Sequence, residues 1–187
     1  MKTLSKKKSH IIFIDMQTKL MPGIVDIDVV TKNCIKIAKL AKLLAIRTTK
    51  TEQYPQGLGR TITHLNNELI DSVQLEKTHF SCVAEPKILS HLVALKTLGI
   101  TQIILCGIEV HICILQTAIQ LQELGFTTYV VSDATGSRNP QDHDMAYQRM
   151  RQSGVSIVNT EMVIYELLHK SGTKEFKAAL KLVKEEG

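Results

Sequence analysis

The segment QIILCGIEVHICILQTAIQLQEL, residues 102–124, contains the clearest structural pattern in the sequence. Its first five residues are mostly apolar, which is typical of a buried strand. Gly107 follows and permits an unusual backbone conformation or a close approach by a neighbouring strand. Residues 112–124 then place apolar side chains at helical spacing, and Gly125 is a typical helix C-cap. A strand that leads into a helix predicts one unit of an α/β sheet.

The same alternation of strands and helices extends over the rest of the chain. Apolar or β-branched runs predict six strands, at residues 10–15, 45–51, 72–77, 102–106, 127–131 and 155–158. Helical spacing and caps predict helices at residues 28–45, 60–70, 85–98, 112–124, 142–152, 160–169 and 173–186. This alternation predicts a three-layer α/β/α fold, whose mostly parallel six-stranded sheet is covered by helices on both faces. In such sheets, ligands bind at the carboxyl ends of the strands.

Length and composition predict a single domain over residues 1–187, with residues 1–9 as a flexible basic tail. No run approaches the ~20 apolar residues of a membrane span, and the charged N-terminus lacks the apolar stretch of a signal peptide. We therefore expect no membrane association and a cytoplasmic location. The net charge of +5 comes largely from the tail and the last helix, and aromatic residues make up only 4%, so we expect no specific nucleic-acid partner.

Four cysteines without a Cys-x-x-Cys pair argue against a zinc ribbon or a thioredoxin-type site. We interpret Cys34, Cys82 and Cys106 as small core residues. Cys113 falls in the first turn of the predicted helix 112–124, where the helix dipole would lower a thiol pKa from about 8.5 to about 3.5–7.5. Position alone leaves two interpretations of Cys113 open, a core residue or a reactive nucleophile.

A reactive cysteine needs a base, and the sequence offers His111 and Asp15 as candidates, with Lys77 as a possible cationic orienter. His111 lies two positions before Cys113, so on a helix the two side chains would point about 200° apart. Asp15 and Lys77 each end a predicted strand. Each has an ordinary alternative, as a salt-bridging acid or a solvated lysine. At the carboxyl ends of parallel strands, however, they could meet Cys113 as base and cationic orienter of a nucleophile.

Four motifs in this order resemble the isochorismatase-like cysteine hydrolases, over about residues 10–159. They are IFIDMQ (12–17), EKTHFS (76–81), CGIEVHIC (106–113) and VSDATGSR (131–138). The loop TEQYPQGLG (51–59) and the TGSR turn most resemble the isochorismatase domain-containing subgroup. The resemblance implies a Rossmann-like strand order, hydrolysis of a small-molecule substrate and assembly into a homo-oligomer.

The matched motifs also imply a catalytic triad, with Cys113 as nucleophile, Asp15 as its base and Lys77 as orienter. They imply an oxyanion hole formed by the backbone N–H groups of Glu109 and Cys113, with a cis peptide bond between Ile108 and Glu109. Such a site would cleave a C–N bond of a small amide-like substrate through a thioester on Cys113. Hydrolysis of isochorismate instead breaks a vinyl ether and needs no cysteine, so Cys113 favours acyl chemistry.

The candidate substrate-binding residues combine apolar walls with hydrogen-bonding groups: Gln17, Gln53, Tyr54, Phe80, Ile108 and His111. Metal-dependent nicotinamidases of this superfamily carry an Asp-x-His ligand pair where this sequence reads EQY (52–54), so we expect no metal and no other cofactor. Two other classes of function stay open at this stage. The chain could be a catalytically silent binding or scaffold protein, or a thiol redox sensor.

Overall fold

Six parallel strands form one sheet in the computed structural model, which describes residues 3–184. The strands are β1 (Ser9–Ile14), β2 (Thr48–Gln53), β3 (Val73–Lys77), β4 (Gln102–Ile108), β5 (Thr127–Gly136) and β6 (Ser156–Val158). Their order in the sheet is β3-β2-β1-β4-β5-β6, and every pairing is parallel. This is the Rossmann-like order, with its reversal point between β1 and β4, so the predicted fold is confirmed.

Helices cover both faces of the sheet. Within residues 3–184 the α-helices are α1 (Ile27–Leu43), α2 (Pro55–Leu58), α3 (Thr63–Glu68), α4 (Pro86–Thr97), α5 (Leu115–Glu123), α6 (Pro140–Gln152), α7 (Thr160–Leu168) and α8 (Lys174–Lys184). The helices α1, α7 and α8 pack on one face, and α4, α5 and α6 pack on the other. The short α2 has no counterpart among the predicted helices. No helix of the described chain has the length and apolarity needed to cross a membrane.

The central strands supply side chains to both cores. In β1, Ile11 and Phe13 pack against the α1 side, while Ile12 and Ile14 pack against the α5 side. This division follows from the alternation of side chains along a strand. Because β1 and β4 have neighbours on both edges and helices on both faces, their residues are buried throughout. This burial explains why the sequences of both strands are apolar almost without interruption.

The second strand begins three residues later and ends two residues later than predicted. Its buried side chains are largely polar, so the apolar pattern that marks the other strands is missing. The Thr49 hydroxyl lies 2.8 Å from His10 Nε2, and the Glu52 carboxylate accepts hydrogen bonds from Thr61 N and Oγ1 at 2.8 and 2.9 Å. Buried polar groups with such partners are compatible with a central position in a sheet.

The segment before β1 packs against the domain. Leu4 is fully buried, and its N–H donates to a Glu166 carboxylate oxygen at 2.8 Å. The Ser5 N–H donates to Gln102 Oε1 at 2.8 Å. The predicted flexible tail therefore includes Leu4 and Ser5, which pack against the domain, and Lys6, Lys7 and Lys8, whose side chains are exposed. Residues 1–2 of the predicted tail and 185–186 of the last predicted helix lie outside the described residues.

Candidate active site

The carboxyl ends of three strands bring together the residues predicted to form a triad. Asp15 directly follows β1, Lys77 is the last residue of β3, and Cys113 lies after β4. The Lys77 ammonium lies 2.6 Å from Asp15 Oδ2 and 3.6 Å from Cys113 Sγ. The Asp15 and Lys77 side chains are buried, and Cys113 is 7% exposed. The ion pair and the thiol thus form one group that is almost shielded from water.

Gly107 allows the end of β4 to approach the end of β1. Its φ is 117°, and a Cβ at this position would lie 2.1 Å from the Ile14 carbonyl oxygen. No larger residue fits without moving one of the strands. The next residue after Ile14 is Asp15, whose own φ of 53° turns the chain at the strand end. The close approach predicted for Gly107 is confirmed, and it brings the segment after β4 beside Asp15.

The Asp15 carboxylate is held by two partners. Its Oδ2 faces Lys77, and its Oδ1 accepts a hydrogen bond from the Thr51 hydroxyl at 2.8 Å. The backbone N–H of Asp15 donates to the Thr51 carbonyl at 3.2 Å. Thr51 was not among the residues that the sequence predicted to form the site. Its role follows from its position opposite Ile14 in the parallel register of β1 and β2.

The Lys77 ammonium has acceptors besides Asp15. It donates to Gln53 Oε1 at 2.6 Å. The backbone carbonyls of Phe80 and His79 lie 3.1 and 3.3 Å from Nζ. Burial lowers the pKa of Lys77, but the Asp15 carboxylate and the neighbouring sulfurs of Cys82 and Cys113 together outweigh burial, so the net pKa is raised. Lys77 therefore remains an ammonium at neutral pH.

The pKa of Cys113 is shifted in the direction opposite to the prediction. Burial and then the Asp15 carboxylate raise the pKa of Cys113 to about 12, although the Lys77 ammonium lowers it. Cys113 lies in a turn of π-helix, Val110–Ile114, and α5 begins only at Leu115. Burial therefore dominates over the expected helix-dipole effect. The prediction of a lowered pKa is wrong, and the thiol keeps its proton at neutral pH.

A second thiol, Cys82, lies beside this group. It is fully buried, and its N–H donates to the hydroxyl of Thr117 at 2.9 Å, one helical turn after Cys113. Burial raises the pKa of Cys82 to about 11, and the Lys77 ammonium opposes the shift. Cys34 and Cys106 are likewise buried and unbridged. The interpretation of these three cysteines as core residues is confirmed.

Two of the predicted substrate-binding residues have no exposed surface. The Gln17 carboxamide donates to the carbonyls of Gln53 and Gly59 at 2.9 and 2.7 Å, and it accepts from the Gln53 N–H at 2.7 Å. Ile108 is fully buried in the core beneath α1. Both side chains are therefore enclosed by protein beneath the site, and neither reaches solvent. Their predicted contact with a substrate stays a prediction.

Other predicted residues lie around the site with different exposure. Tyr54 and Phe80 are exposed, at 56% and 57%. His111 is partly buried, and Gln53 is partly buried with its carboxamide against Lys77. Tyr54 and Phe80 thus supply exposed aromatic surface next to the buried polar group, since their backbones bond to Lys77.

The segment after β4 is clamped to the end of β5. The Glu109 carboxylate accepts from Arg138 Nε at 3.0 Å and from Arg138 N at 3.1 Å. His111 Nδ1 lies 3.0 Å from the Ser137 hydroxyl. The peptide bond between Ile108 and Glu109 is cis, as the family resemblance implies. Ser137 and Arg138 belong to the TGSR turn, whose contacts to this segment the sequence alone did not reveal.

The described residues offer no evident metal site. Within residues 3–184, no three His, Cys, Asp or Glu side chains converge in a way that could hold a metal ion. Glu52 lies near the end of β2, in the EQY stretch that stands in place of the Asp-x-His pair of metal-dependent nicotinamidases. Its carboxylate instead accepts from Arg60 Nη1 at 2.7 Å and from Thr61. His79 lies 3.1 Å from a Glu85 carboxylate oxygen.

Comparisons with known proteins identify the family to which this fold and sequence belong. The chain is a member of the isochorismatase family, because the sequence model of the isochorismatase domain matches residues 9–162. Isochorismatase domain-containing protein 2 from Danio rerio is 38% identical over 181 residues, which cover 96% of this chain and 89% of that protein. The secreted isochorismatase effector Isc1 from Phytophthora sojae is 38% identical over 151 residues, which cover 78% of this chain and 70% of that protein.

A solved structure supports the same relationship. The MAR1 ribonuclease from Caenorhabditis elegans superposes with a TM-score of 0.90 and is 32% identical. The match covers 97% of this chain and 92% of that chain. The family resemblance found in the sequence is therefore confirmed over most of the length.

Proposed function

We propose that this protein is a cysteine hydrolase that cleaves the C–N bond of a small amide-like substrate. The supporting observation is the convergence of Asp15, Lys77 and Cys113, at 2.6 and 3.6 Å, from three separate parts of the chain. Burying an ion pair costs desolvation free energy that its mutual attraction often does not recover, so stability alone is a weak reason to keep one beside a buried thiol. Active sites are where such perturbed groups cluster.

In the proposed reaction the nucleophile starts as a thiol. Because the pKa of Cys113 is about 12, attack requires removal of its proton during the reaction. The proton passes from Sγ to the Asp15 carboxylate while sulfur attacks the substrate carbonyl carbon. The Lys77 ammonium stabilises the negative charge that develops on sulfur. The electron pair of the carbonyl moves to oxygen, where the backbone N–H groups of Glu109 and Cys113 stabilise it.

The remaining steps return the enzyme to its starting state. The tetrahedral intermediate collapses, the C–N bond breaks, and Asp15 gives its proton to the leaving nitrogen. The substrate acyl group is then a thioester on Cys113. Asp15 takes a proton from water, whose oxygen attacks the thioester carbon and breaks the C–S bond. The carboxylic acid leaves, and the Cys113 thiol regains its proton from Asp15.

Acyl-enzyme trapping tests the proposal directly. A panel of small amides and esters is incubated with the protein, released amine or alcohol is measured, and the Cys113 peptide is weighed by mass spectrometry after acid quench. We expect an acyl adduct on Cys113, and no turnover in Cys113→Ala. Cys34→Ala is the matched control, since it removes a buried thiol of α1 outside the site. Turnover at the wild-type rate in Cys113→Ala would exclude Cys113 as the nucleophile.

The same samples distinguish the other functions. A chain that forms no adduct and releases no product over the whole panel would be a binding or scaffold protein. A chain that forms sulfenic acid or a disulfide at Cys113 under mild peroxide, but never an acyl adduct, would be a redox sensor. Mass spectrometry separates these products by mass.

Cleavage of RNA is a second candidate function, because a relative with 32% identity is named a ribonuclease. The net charge of +5 provides some general attraction for phosphate. Labelled single-stranded and double-stranded RNA test this candidate at two salt concentrations. If the amide proposal is correct, no RNA cleavage should depend on Cys113. RNA cleavage that is lost in Cys113→Ala and kept in Cys34→Ala would replace the amide proposal.

Self-association and cellular location also stay predictions. The family resemblance implies a homo-oligomer, which sedimentation velocity tests. A cytoplasmic location is tested by expressing a tagged chain and fractionating the cells.

A further inference from the structure

We infer that Gln53 is a positioning residue for Lys77, a neutral acceptor that fixes the ammonium beside Cys113 without adding a second negative charge. The inference rests on the proposed function, because it gives Gln53 a role in controlling the proposed nucleophile. It also changes the assignment of Gln53, which the sequence predicted to contact substrate.

The contacts of Lys77 identify Gln53 as its main neutral partner. An ammonium has three N–H donors, and all need acceptors when the group is buried. The shortest distances from Nζ are to Asp15 Oδ2 and Gln53 Oε1, each 2.6 Å. The Phe80 carbonyl follows at 3.1 Å. Among these acceptors Asp15 is charged, and the other two are neutral.

Gln53 is itself held in one orientation. Its Nε2 donates to the Thr78 carbonyl at 2.8 Å, while its Oε1 accepts from Lys77. Because an ammonium only donates and a carbonyl only accepts, exchanging the oxygen and nitrogen of this amide would break both contacts. The buried Gln17 side chain holds the Gln53 backbone through its N–H and its carbonyl, at 2.7 and 2.9 Å. These contacts anchor Gln53 to the segment after β1.

The absence of charge on Gln53 matters for the nucleophile. Burial raises the pKa of Cys113, and the Lys77 ammonium opposes this shift. A carboxylate in place of the Gln53 amide would lie beside the ammonium and offset its effect on the thiol. The preceding residue, Glu52, does carry a carboxylate. Alternation along the strand turns it to the other side, where Arg60 donates to it at 2.7 Å.

Alkylation of Cys113 by iodoacetamide tests the inference without any substrate. The rate is measured between pH 6 and 10 by peptide mass spectrometry, below the pKa of about 12, where the rate is proportional to the small thiolate fraction. Gln53→Glu preserves the shape and adds a negative charge, and we expect the rate at pH 8 to fall at least about tenfold, equivalent to one pKa unit. Gln53→Met removes the acceptor without adding charge, and we expect a smaller fall. Gln152→Glu makes the same charge change at an exposed position of α6 and should leave the profile unchanged.

Including Lys77→Met separates failure of this inference from failure of the proposed function. If Lys77→Met slows alkylation while Gln53→Glu and Gln53→Met both match the wild type, the role of Gln53 is refuted and the triad stands. If Lys77→Met leaves alkylation unchanged, the triad fails and the inference with it. If Gln53→Glu does not fold, as judged by circular dichroism, Gln53→Met decides: a slower rate supports the inference, and an unchanged rate overturns it.

Discussion

Lys77→Met and Asp15→Asn should shift the pKa of Cys113 in opposite directions. In the native site, burial and Asp15 raise the pKa of this thiol to about 12, while Lys77 lowers it. Removing the ammonium therefore raises the pKa further. Removing the carboxylate charge lowers it. A triad in which the three groups act on one another requires both shifts.

The distance between Lys77 and Cys113 gives the size of the first effect. At 3.6 Å, two unit charges interact by about 4.6 kcal/mol at an effective dielectric constant of about 20, or about 3 pKa units. Water that fills the space left by the lysine side chain will reduce this energy. If it halves the energy, alkylation at a fixed pH below the pKa still slows about 50-fold in Lys77→Met.

The assay is the rate of iodoacetamide labelling of each cysteine as a function of pH. Asp15→Asn should label faster than wild type at pH 8 and yet hydrolyse substrate more slowly, because the thiol ionises more easily but its base is missing. This divergence between labelling and turnover is specific to a carboxylate that serves as a base.

Control variants change exposed charges at the amino ends of the strands, away from the site. Lys7→Met and Asp71→Asn make the same substitutions as the test variants and should leave labelling of Cys113 unchanged. The reasoning is refuted if both test variants shift the labelling profile in the same direction, or if neither differs from its control.

Three further predictions concern the supports of the site and the core. Gly107→Ala places a Cβ 2.1 Å from a β1 carbonyl oxygen and should lower the free energy of unfolding by at least about 3 kcal/mol in urea titrations. Gly99→Ala, also at positive φ but with open space around the new Cβ, should cost only about 1–2 kcal/mol. If both variants lose the same free energy of unfolding, the predicted steric clash at Gly107 is wrong. Thr51→Val removes the hydroxyl that donates to Asp15 and should lower the free energy of unfolding by about 1.5–3 kcal/mol in the same titrations. An unchanged urea midpoint would show that this hydrogen bond does not stabilise the fold. Burial lowers the pKa of His10 from 6.5 to about 3, so below pH 6.5 the unfolded chain binds a proton that the folded protein excludes. The free energy of unfolding should therefore fall as the pH drops towards 3, by about 2.7 kcal/mol at pH 4.5. His10→Gln should remove this dependence of stability on pH between about 6.5 and 3.

Sequence patterns identified the central strands β1 and β4, because every residue of these strands is buried and burial on both faces of the sheet favours an apolar sequence. The limits of β2 were misplaced because Thr49 and Glu52 are buried with hydrogen-bonding partners, and no local pattern reveals a partner that is distant in sequence. Leu4 illustrates the same limitation, since its burial and the bond from its N–H to Glu166 are not evident from the basic run around it.

The residues of the candidate site were likewise predicted from the sequence only in part. Asp15, Lys77 and Cys113 were predicted because each belongs to a recognisable motif at a strand end or shortly after one. Thr51 was missed, because its contact depends on which strands are neighbours in the sheet. The ionisation of Cys113 was predicted in the wrong direction for a related reason, since burial depends on the whole fold and helix position alone does not determine it. The contacts that hold Gln17 and Gln53 likewise follow from packing between distant loops.

The position of Lys77 on the outermost strand links the site to local unfolding. β3 pairs with β2 at one edge of the sheet, and its residues Val73, Gln74 and Glu76 are exposed. Edge elements with few buried contacts open at a lower free energy than the whole domain. Each opening of the end of β3 withdraws the ammonium and leaves the thiol beside an unpaired carboxylate. Mild denaturant should therefore abolish substrate turnover at Cys113 before the whole domain unfolds, at the concentrations where hydrogen exchange of the β3 amides becomes faster.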